Sequence, residues 1–219
     1  MKKMIKSYGV FLPPAYKIWG IFLIPLFFFF ILLLLVKANA LAAGPSCYII
    51  TSYVIAFEVM ADYWVFGGTC VKNNSSMEYL KTSLKGLGIL GKGLAGDCIR
   101  RSVYFALLTG VMVYGGLWKY AVAMMLLADI VGTTALLIGR HFDFMFLMQM
   151  AVASIASVAF MILGQLLFWM MEIVPGDGKN LVAVIQIIVL AVIALAVNIL
   201  AVSHGVGWVK GSYYERESD

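Results

Sequence analysis

The feature that most constrains this chain is an apolar run, IFLIPLFFFFILLLLV, over residues 21–36. Such a segment crosses a bilayer only as a helix, because hydrocarbon offers no partner for free backbone groups; a crossing needs about 20 apolar residues. Several further long apolar stretches follow it. Charged residues make up only 12% of the 219 residues, whereas soluble domains contain roughly 25%. The sequence therefore predicts an all-α integral membrane protein.

The sequence predicts six transmembrane helices and an N-terminal interfacial helix, which together account for most of the 219 residues. The interfacial segment is 1–17, which is rich in lysine and precedes Trp19 at the membrane boundary. Pro25 is expected to disturb the first span. The whole of 1–219 is then one transmembrane domain, with a cytoplasmic loop at 67–101 and a cytoplasmic tail at 206–219. The predicted spans are 21–36, 47–66, 103–117, 120–139, 144–171 and 181–202.

Positive charge is distributed very unevenly between the two faces of this arrangement. If the N-terminus is inside, thirteen of the sixteen lysines and arginines lie inside, and only Lys37, Lys119 and Lys179 lie outside. Because this bias sets helix orientation, both termini are predicted to be cytoplasmic, in a multi-pass protein of the plasma membrane. The net charge of +5 has the same explanation, so it indicates no nucleic-acid partner.

Two acidic residues close the second span. Glu58 and Asp62 are four positions apart, so they share one face of that helix near its inner end. A carboxylate in the membrane is a functional candidate by default. Their depth favours the alternative, in which both lie at the interface and bond to basic residues of the following loop.

Asp129 falls near the middle of the fourth span, where its side chain cannot reach the interface. One interpretation is a residue linked to a proton or cation, or one that lines a substrate path; the other is a hydrogen-bonded packing residue. Both stand as alternatives. The candidate partners are the nearby threonines and polar side chains on other spans: Thr133, Thr134, Gln149, Gln165, Gln186 and Asn198.

The cytoplasmic loop contains MEYLKTSLKGLGILGKGLAGDC over residues 77–98. Its apolar residues recur at roughly helical spacing with lysines between them, which is typical of a basic surface helix on lipid headgroups or of a docking segment. Four glycines, at 86, 88, 91 and 93, disfavour one long helix. We therefore expect two short helical pieces joined by a turn, followed by the third span from about residue 103.

The acids that end the second span, the EYLKTS segment and Asp97 before the third span resemble small six-helix permease subunits of type 2 ABC exporters. The resemblance implies a dimer with a second permease subunit, identical or different. It also implies a cytoplasmic ATPase subunit that would hold the ATP and Mg²⁺. Leu84-Lys85-Gly86 stands where such permeases often carry proline and arginine. The implied ATPase-docking positions are Glu78, Tyr79, Leu80, Lys81, Thr82 and Ser83, followed by Lys85 and Lys92.

No enzyme signature is present in the sequence. GILGKGLAGD lacks the G-K-[ST] ending that holds phosphate and magnesium, and the three cysteines and two histidines have no metal-binding spacing. We therefore expect a non-enzymatic chain without its own cofactor or metal. The resemblance implies a permease subunit that couples the separate ATPase to the movement of a hydrophobic or amphipathic substrate. The alternatives are a stand-alone secondary transporter with an ion-linked Asp129, and a non-transporting immunity or assembly protein.

Overall fold

The computed structural model describes residues 2–38, 43–66, 85–116, 118–141, 146–173 and 178–214. Within these ranges every regular element is helical, which confirms the all-α class. The elements are α1 (Lys2–Phe11), α2 (Pro14–Ile18), a π-helical turn (Trp19–Leu23), α3 (Ile24–Ala38), α4 (Ala43–Val65), α5 (Gly86–Tyr114), α6 (Trp118–His141), α7 (Phe146–Ile173) and α8 (Gly178–Tyr214).

Four helical segments are long and apolar enough to cross a membrane. They are Tyr16–Ala38, Tyr120–Arg140, Phe146–Met170 and Asn180–Gly207, which coincide with the first, fourth, fifth and sixth predicted spans. Large apolar side chains such as Ile155 and Leu195, each more than half exposed, point away from the protein on α7 and α8. Such a surface is typical of a membrane-embedded protein.

The helices predicted as the second and third spans are present as α4 and α5, but neither is among the four apolar segments. Each carries ionisable residues within its length: Glu58 and Asp62 in α4, and Asp97, Arg100 and Arg101 in α5. Helices α4 and α5 are therefore less uniformly apolar than the four candidate membrane-spanning segments. The prediction of six spans is confirmed only to the extent of four candidate membrane-spanning helices.

Two contacts define the relative direction of α4 and α7. The hydroxyl of Tyr48, early in α4, donates to the carbonyl of Gly164, late in α7, at 3.1 Å. Tyr63, late in α4, has its ring centroid 5.9 Å from that of Phe146 at the start of α7. The α4 and α7 helices are therefore antiparallel. The main apolar core lies between α3, α4, α5, α6 and α7, around Leu32, Val54, Leu108, Ala128 and Phe160.

A π-helical turn precedes Pro25 in the first apolar segment. The backbone N–H of Ile24 donates to the carbonyl of Trp19, five residues earlier. A proline has no N–H of its own, and its ring clashes with the carbonyl four residues before it. The predicted disturbance of this segment thus takes the form of one widened turn immediately before the proline.

The α5 helix is continuous over 29 residues from Gly86 to Tyr114. The expected break at the glycines is therefore absent between residues 86 and 98, and the helix that was predicted from about residue 103 begins at Gly86 instead. The first part of the predicted two-piece segment, residues 77–84, lies outside the described residues. The glycines serve as contact points for other helices. A Cβ atom on Gly93 would lie 2.6 Å from the Phe11 ring, and one on Gly96 would lie 2.8 Å from the carbonyl oxygen of Met4. Close packing of α1 thus offsets the helix-propensity cost of about 1 kcal/mol per glycine.

The N-terminal helix α1 packs on this glycine-rich face. Tyr8 and Phe11 are buried, and the Phe11 ring lies 5.3 Å from that of Phe66, which follows α4. Lys3 and Lys6 are exposed on the other side. The predicted amphipathic N-terminal helix is confirmed as a helix, and its location at a bilayer surface stays a prediction.

Candidate functional site

A buried ionic network joins three helices where the last turns of α4 and α6 meet the middle of α5, a region here called the charged end. Acidic and basic groups are equal in number, and each group takes part in at least one ion pair or hydrogen bond within the network. The members are Glu58 and Asp62 from α4, Asp97, Arg100 and Arg101 from α5, and Arg140 from α6.

Arg100 bridges α5 to α4. Its Nη1 donates to Oε1 of Glu58 at 3.0 Å, and its Nη2 pairs with Oε2 of the same carboxylate, so the two groups meet in a bidentate fork. Nε and Nη2 also donate to Oδ1 of Asp97 at 3.2 and 3.0 Å. The guanidinium carbon lies 5.9 Å from the Tyr8 ring centroid, which places α1 over this pair.

Arg101 bridges α5 to α6. Its side chain is 2% exposed. Its Nε lies 3.3 Å from Oδ2 of Asp97, and its Nη1 donates to the hydroxyl of Thr133 at 3.2 Å. Nη2 donates to Sγ of Cys98 at 3.4 Å. Asp97 therefore holds two adjacent arginines that point to different neighbouring helices.

Arg140 links α6 to α4 through an ion pair of its own. Its Nε donates to Oδ2 of Asp62 at 2.9 Å, and its Nη2 donates to Oδ1 at 2.6 Å. The guanidinium carbon lies 5.2 Å from the Phe66 ring centroid. A Cβ atom on Gly205 would lie 4.0 Å from Nη1 of Arg140, so α8 also approaches this end.

The electrostatic field of the network keeps its α5 members ionised. Burial alone would raise the pKa of Asp97, but Arg100 and Arg101 outweigh it and lower that pKa below its ordinary value. Burial would lower the pKa of Arg100, yet Glu58 and Asp97 hold it well above its ordinary value. The pKa of Arg101 is raised against the same burial effect, with Asp97 as the main cause. Paired charges of this kind tolerate a buried position.

The structure places the two predicted acids in this network. Glu58 pairs with Arg100, a basic residue of the segment 67–101, as predicted. Asp62 pairs with Arg140 of α6, which the sequence interpretation did not propose. Both acids are almost fully buried in the protein, at 3% and 4% exposure. Their position at the membrane interface stays a prediction.

Sequence reasoning missed Asp97, Arg101 and Arg140 as members of a site. A signal did exist, because Asp97, Arg100 and Arg101 have the three- and four-residue spacings that bring side chains together on a helix. That signal is visible only if the segment before residue 103 is taken as helical. The sequence contains no such signal for Arg140, because its partner depends on how α4 and α6 pack.

Asp129 forms a second, smaller polar site. Nδ2 of Asn198 on α8 donates to its Oδ2 at 2.6 Å, so Asn198 is confirmed as the partner among those predicted. Thr133 instead accepts from Arg101, and Thr134 donates to the carbonyl of Ile130. Oδ1 of Asp129 is buried and has no hydrogen-bond partner among the described residues. Asp129 is among the residues that line a cleft of about 290 Å³ between α5 and α6.

The predicted docking residues lie at the edge of what the structure describes. Lys85 and Lys92 are exposed at the start of α5. The described residues contain no cluster of three histidine, cysteine or acidic side chains arranged to hold a metal ion. The remaining docking positions, Glu78, Tyr79, Leu80, Lys81, Thr82 and Ser83, lie outside the described residues.

Comparisons of the chain with known protein families, with curated proteins and with solved structures find no match.

Proposed function

We propose that this protein is the transmembrane permease subunit of an ATP-driven exporter of the type 2 ABC class. Its cytoplasmic segment 67–101 would dock a separate ATPase subunit, which binds ATP and Mg²⁺. The cargo would be a hydrophobic or amphipathic compound, and the chain itself would catalyse no reaction. The observation that carries the proposal is the buried ionic network that fastens α5, the helix directly after the docking segment, to α4 and α6.

A mechanical coupling element has to transmit displacement without bending. The α5 helix meets this need because it continues unbroken from the exposed Lys85 and Lys92 region into the apolar core. Arg100 ties it to α4 through Glu58, and Arg101 ties it to α6 through Thr133. A displacement of the docking segment would therefore move three helices as one body, which is how a small shift becomes a rigid-body transition.

The arrangement of charge supports a cytoplasmic location for this end. The exposed lysines of α1 and the first turns of α5 lie at the charged end, and cytoplasmic faces of membrane proteins carry such an excess. We propose six spans, with the second in α4 and the third in the part of α5 from about residue 103, and cytoplasmic termini in the plasma membrane. Asp97, Arg100 and Arg101 then lie outside the membrane-spanning part of α5. Like other permeases of the proposed class, the chain would pair with a second permease subunit, identical or different.

Purification of the native complex tests the proposal. An affinity tag on this chain is expected to recover a nucleotide-binding subunit. In the reconstituted complex, Lys85→Glu together with Lys92→Glu should lower ATPase activity by about tenfold or more, because like charges that face each other across an interface are strongly unfavourable. Lys119→Glu, a lysine predicted to lie on the opposite face, is the matched control. Recovery of no ATPase subunit, or an unchanged rate, would contradict the proposal.

A second candidate function is a stand-alone secondary transporter in which Asp129 is the ion-linked residue. It is favoured by one observation, the pairing of Asp129 with Asn198 beside a cleft within the bundle. Uptake into proteoliposomes driven by an ion gradient without ATP, and abolished by Asp129→Asn, would support this function over the first.

A further inference from the structure

A groove on the surface of the bundle runs between α3 and α5 and has a volume of about 380 Å³. The α3 helix lines it with Phe29, Leu33 and Lys37, which follow each other at four-residue intervals and therefore share one face. The helix rises about 12 Å between Phe29 and Lys37. This length is most of the depth of one bilayer leaflet, which contains about 15 Å of hydrocarbon.

The α5 side of the groove is open because of a glycine. Leu107, Gly110 and Tyr114 line the groove and are exposed, so it faces away from the bundle. A Cβ atom on Gly110 would meet nothing within 4 Å. The side chain that Gly110 lacks thus leaves room for a ligand between α5 and the Phe29 side of α3.

One end of the groove is polar, and it lies at the end of the bundle opposite to the charged end. Lys37 is in the last turn of α3, and Tyr114 is the last residue of α5. A Cβ atom on Gly115 would lie 2.5 Å from Cγ1 of Val36, so the two helices finish side by side. Lys37, Tyr114 and Trp118 are exposed here. Lysine, tyrosine and tryptophan are typical of the level of the lipid headgroups.

The charge of the groove is positive, because its lining includes Lys37 and no acidic residue. Lys37 forms no ion pair with an acidic residue in the described ranges. We propose that this groove binds one anionic phospholipid, with an acyl chain against Phe29, Leu33 and Leu107. The phosphate lies on the Lys37 ammonium, and the Tyr114 hydroxyl is a second donor. The site requires only a bundle embedded in a membrane, so it does not depend on the proposed ATPase partner.

A second copy of this chain fits the groove less well than a lipid does. Most closed dimers have two-fold symmetry, so two copies that met through this groove would bring both Lys37 side chains to one interface. Like charges that face each other across an interface are strongly unfavourable. A lysine covered by an apolar helix would also lose its hydration without compensation. An anionic phospholipid avoids both costs, since its phosphate compensates the ammonium and its acyl chain covers the apolar side chains.

Photocross-linking tests the site with the full chain in phosphatidylcholine nanodiscs. The probe is a small fraction of phosphatidylglycerol that carries a diazirine in one acyl chain, and mass spectrometry maps the labelled residues. We expect labelling within residues 29–37 and 107–114 that unlabelled phosphatidylglycerol removes and inorganic phosphate does not. A phosphatidylcholine probe with the same chains should label the groove about fivefold less, as expected for one lysine near an anionic headgroup.

Two variants with matched controls complete the experiment. Lys37→Gln should lower labelling by phosphatidylglycerol about fivefold, whereas Lys17→Gln, an exposed lysine near the opposite end of the bundle, should not change it. Gly110→Leu fills the groove and should abolish the labelling, whereas Gly88→Leu should not. Both glycines are exposed positions of α5 where a Cβ atom meets nothing within 4 Å, and leucine favours a helix over glycine, so both variants should fold.

Three results would overturn the site. Equal labelling by the two probes would show ordinary boundary lipid, competition by inorganic phosphate would show a site for a free anion, and unchanged labelling in Gly110→Leu would place the lipid elsewhere. Because no ATPase subunit is present in the nanodiscs, the outcome is independent of whether the proposed function holds.

Discussion

Arg140 and Asp62 lie 78 positions apart in the chain, yet two hydrogen bonds of 2.9 and 2.6 Å join the guanidinium to the carboxylate. Both side chains are nearly inaccessible, at 7% and 2% exposure. The pair fastens the end of α6 to the end of α4, and Phe66 covers the guanidinium. Much of the integrity of the charged end therefore depends on this contact.

Removal of one partner of this pair should destabilise the protein strongly. Asp62→Ala removes the carboxylate that forms two hydrogen bonds with the buried Arg140 and should cost about 3–5 kcal/mol of unfolding free energy, the usual effect of a broken buried ion pair. Unfolding in detergent can be followed by mass spectrometry as thiol labelling of Cys47, which is fully buried in the folded protein. Ser203→Ala, an exposed hydroxyl on α8, is the control and should change little.

The double variant separates the ion pair from packing. Asp62→Leu with Arg140→Met replaces both charges by apolar groups of similar length, so no uncompensated charge remains. Such replacements are often neutral or stabilising. We expect the double variant to recover most of the stability lost in Asp62→Ala. A double variant as unstable as the single one would contradict the view that the cost arises from an orphaned charge.

The close contact between Gly96 of α5 and helix α1 can be tested by substitution. In Gly96→Ala the new Cβ would lie 2.8 Å from a backbone oxygen of α1, which has to move away. The expected cost is about 1–3 kcal/mol, as for other overpacked sites, with faster amide hydrogen exchange in residues 2–11. Gly88→Ala is the matched control, since its Cβ meets nothing within 4 Å, and it should stabilise α5 by up to about 1 kcal/mol. Equal exchange in both variants would show that α1 does not depend on this contact.

Local sequence rules predicted part of this fold and missed another part for identifiable reasons. Apolar run length alone located the four most apolar helices. The continuity of α5 was missed because helix propensity counts Gly93 and Gly96 as unfavourable, whereas their missing side chains are what admit Phe11 and Met4. Tertiary packing overrode propensity there.

The candidate sites likewise combine residues that local sequence patterns predict with partners that only tertiary packing determines. The intrahelical spacing of Asp97, Arg100 and Arg101 is a local signal, and the central position of Asp129 marked it from sequence. The partners Arg140 and Asn198 come from distant helices, so which acid each would meet depends on packing that no local pattern encodes. Asn198 was one of six candidate partners for Asp129, and only the packing of α8 on α6 singled it out.

The lowered pKa of Asp97 predicts how its contribution to stability depends on pH. Because the folded pKa lies below the ordinary value of 3.8, the stability that Asp97 supplies is fully present above that pH and is lost as pH falls through the lowered pKa. The wild type should therefore exceed Asp97→Asn in unfolding temperature by a constant margin between pH 5 and 7, measured on the same preparations. The margin should shrink below about pH 4. A margin that grows towards low pH would contradict the assignment of Asp97 as an ionised partner.

The charge distribution predicts the side on which each helix end lies. Reporter fusions test it, since green fluorescent protein folds to a fluorescent form when fused on the cytoplasmic side, while alkaline phosphatase is active only outside. Fluorescence is expected for fusions after Phe66, His141 and Tyr214, and phosphatase activity for fusions after Ala38, Gly116 and Ile173. If α4 and α5 did not cross the membrane, the fusions after Ala38 and Gly116 would still show phosphatase activity. The fusion after Phe66 would then show phosphatase activity as well. The Phe66 fusion therefore decides between six spans and four, and phosphatase activity there would exclude the proposed topology.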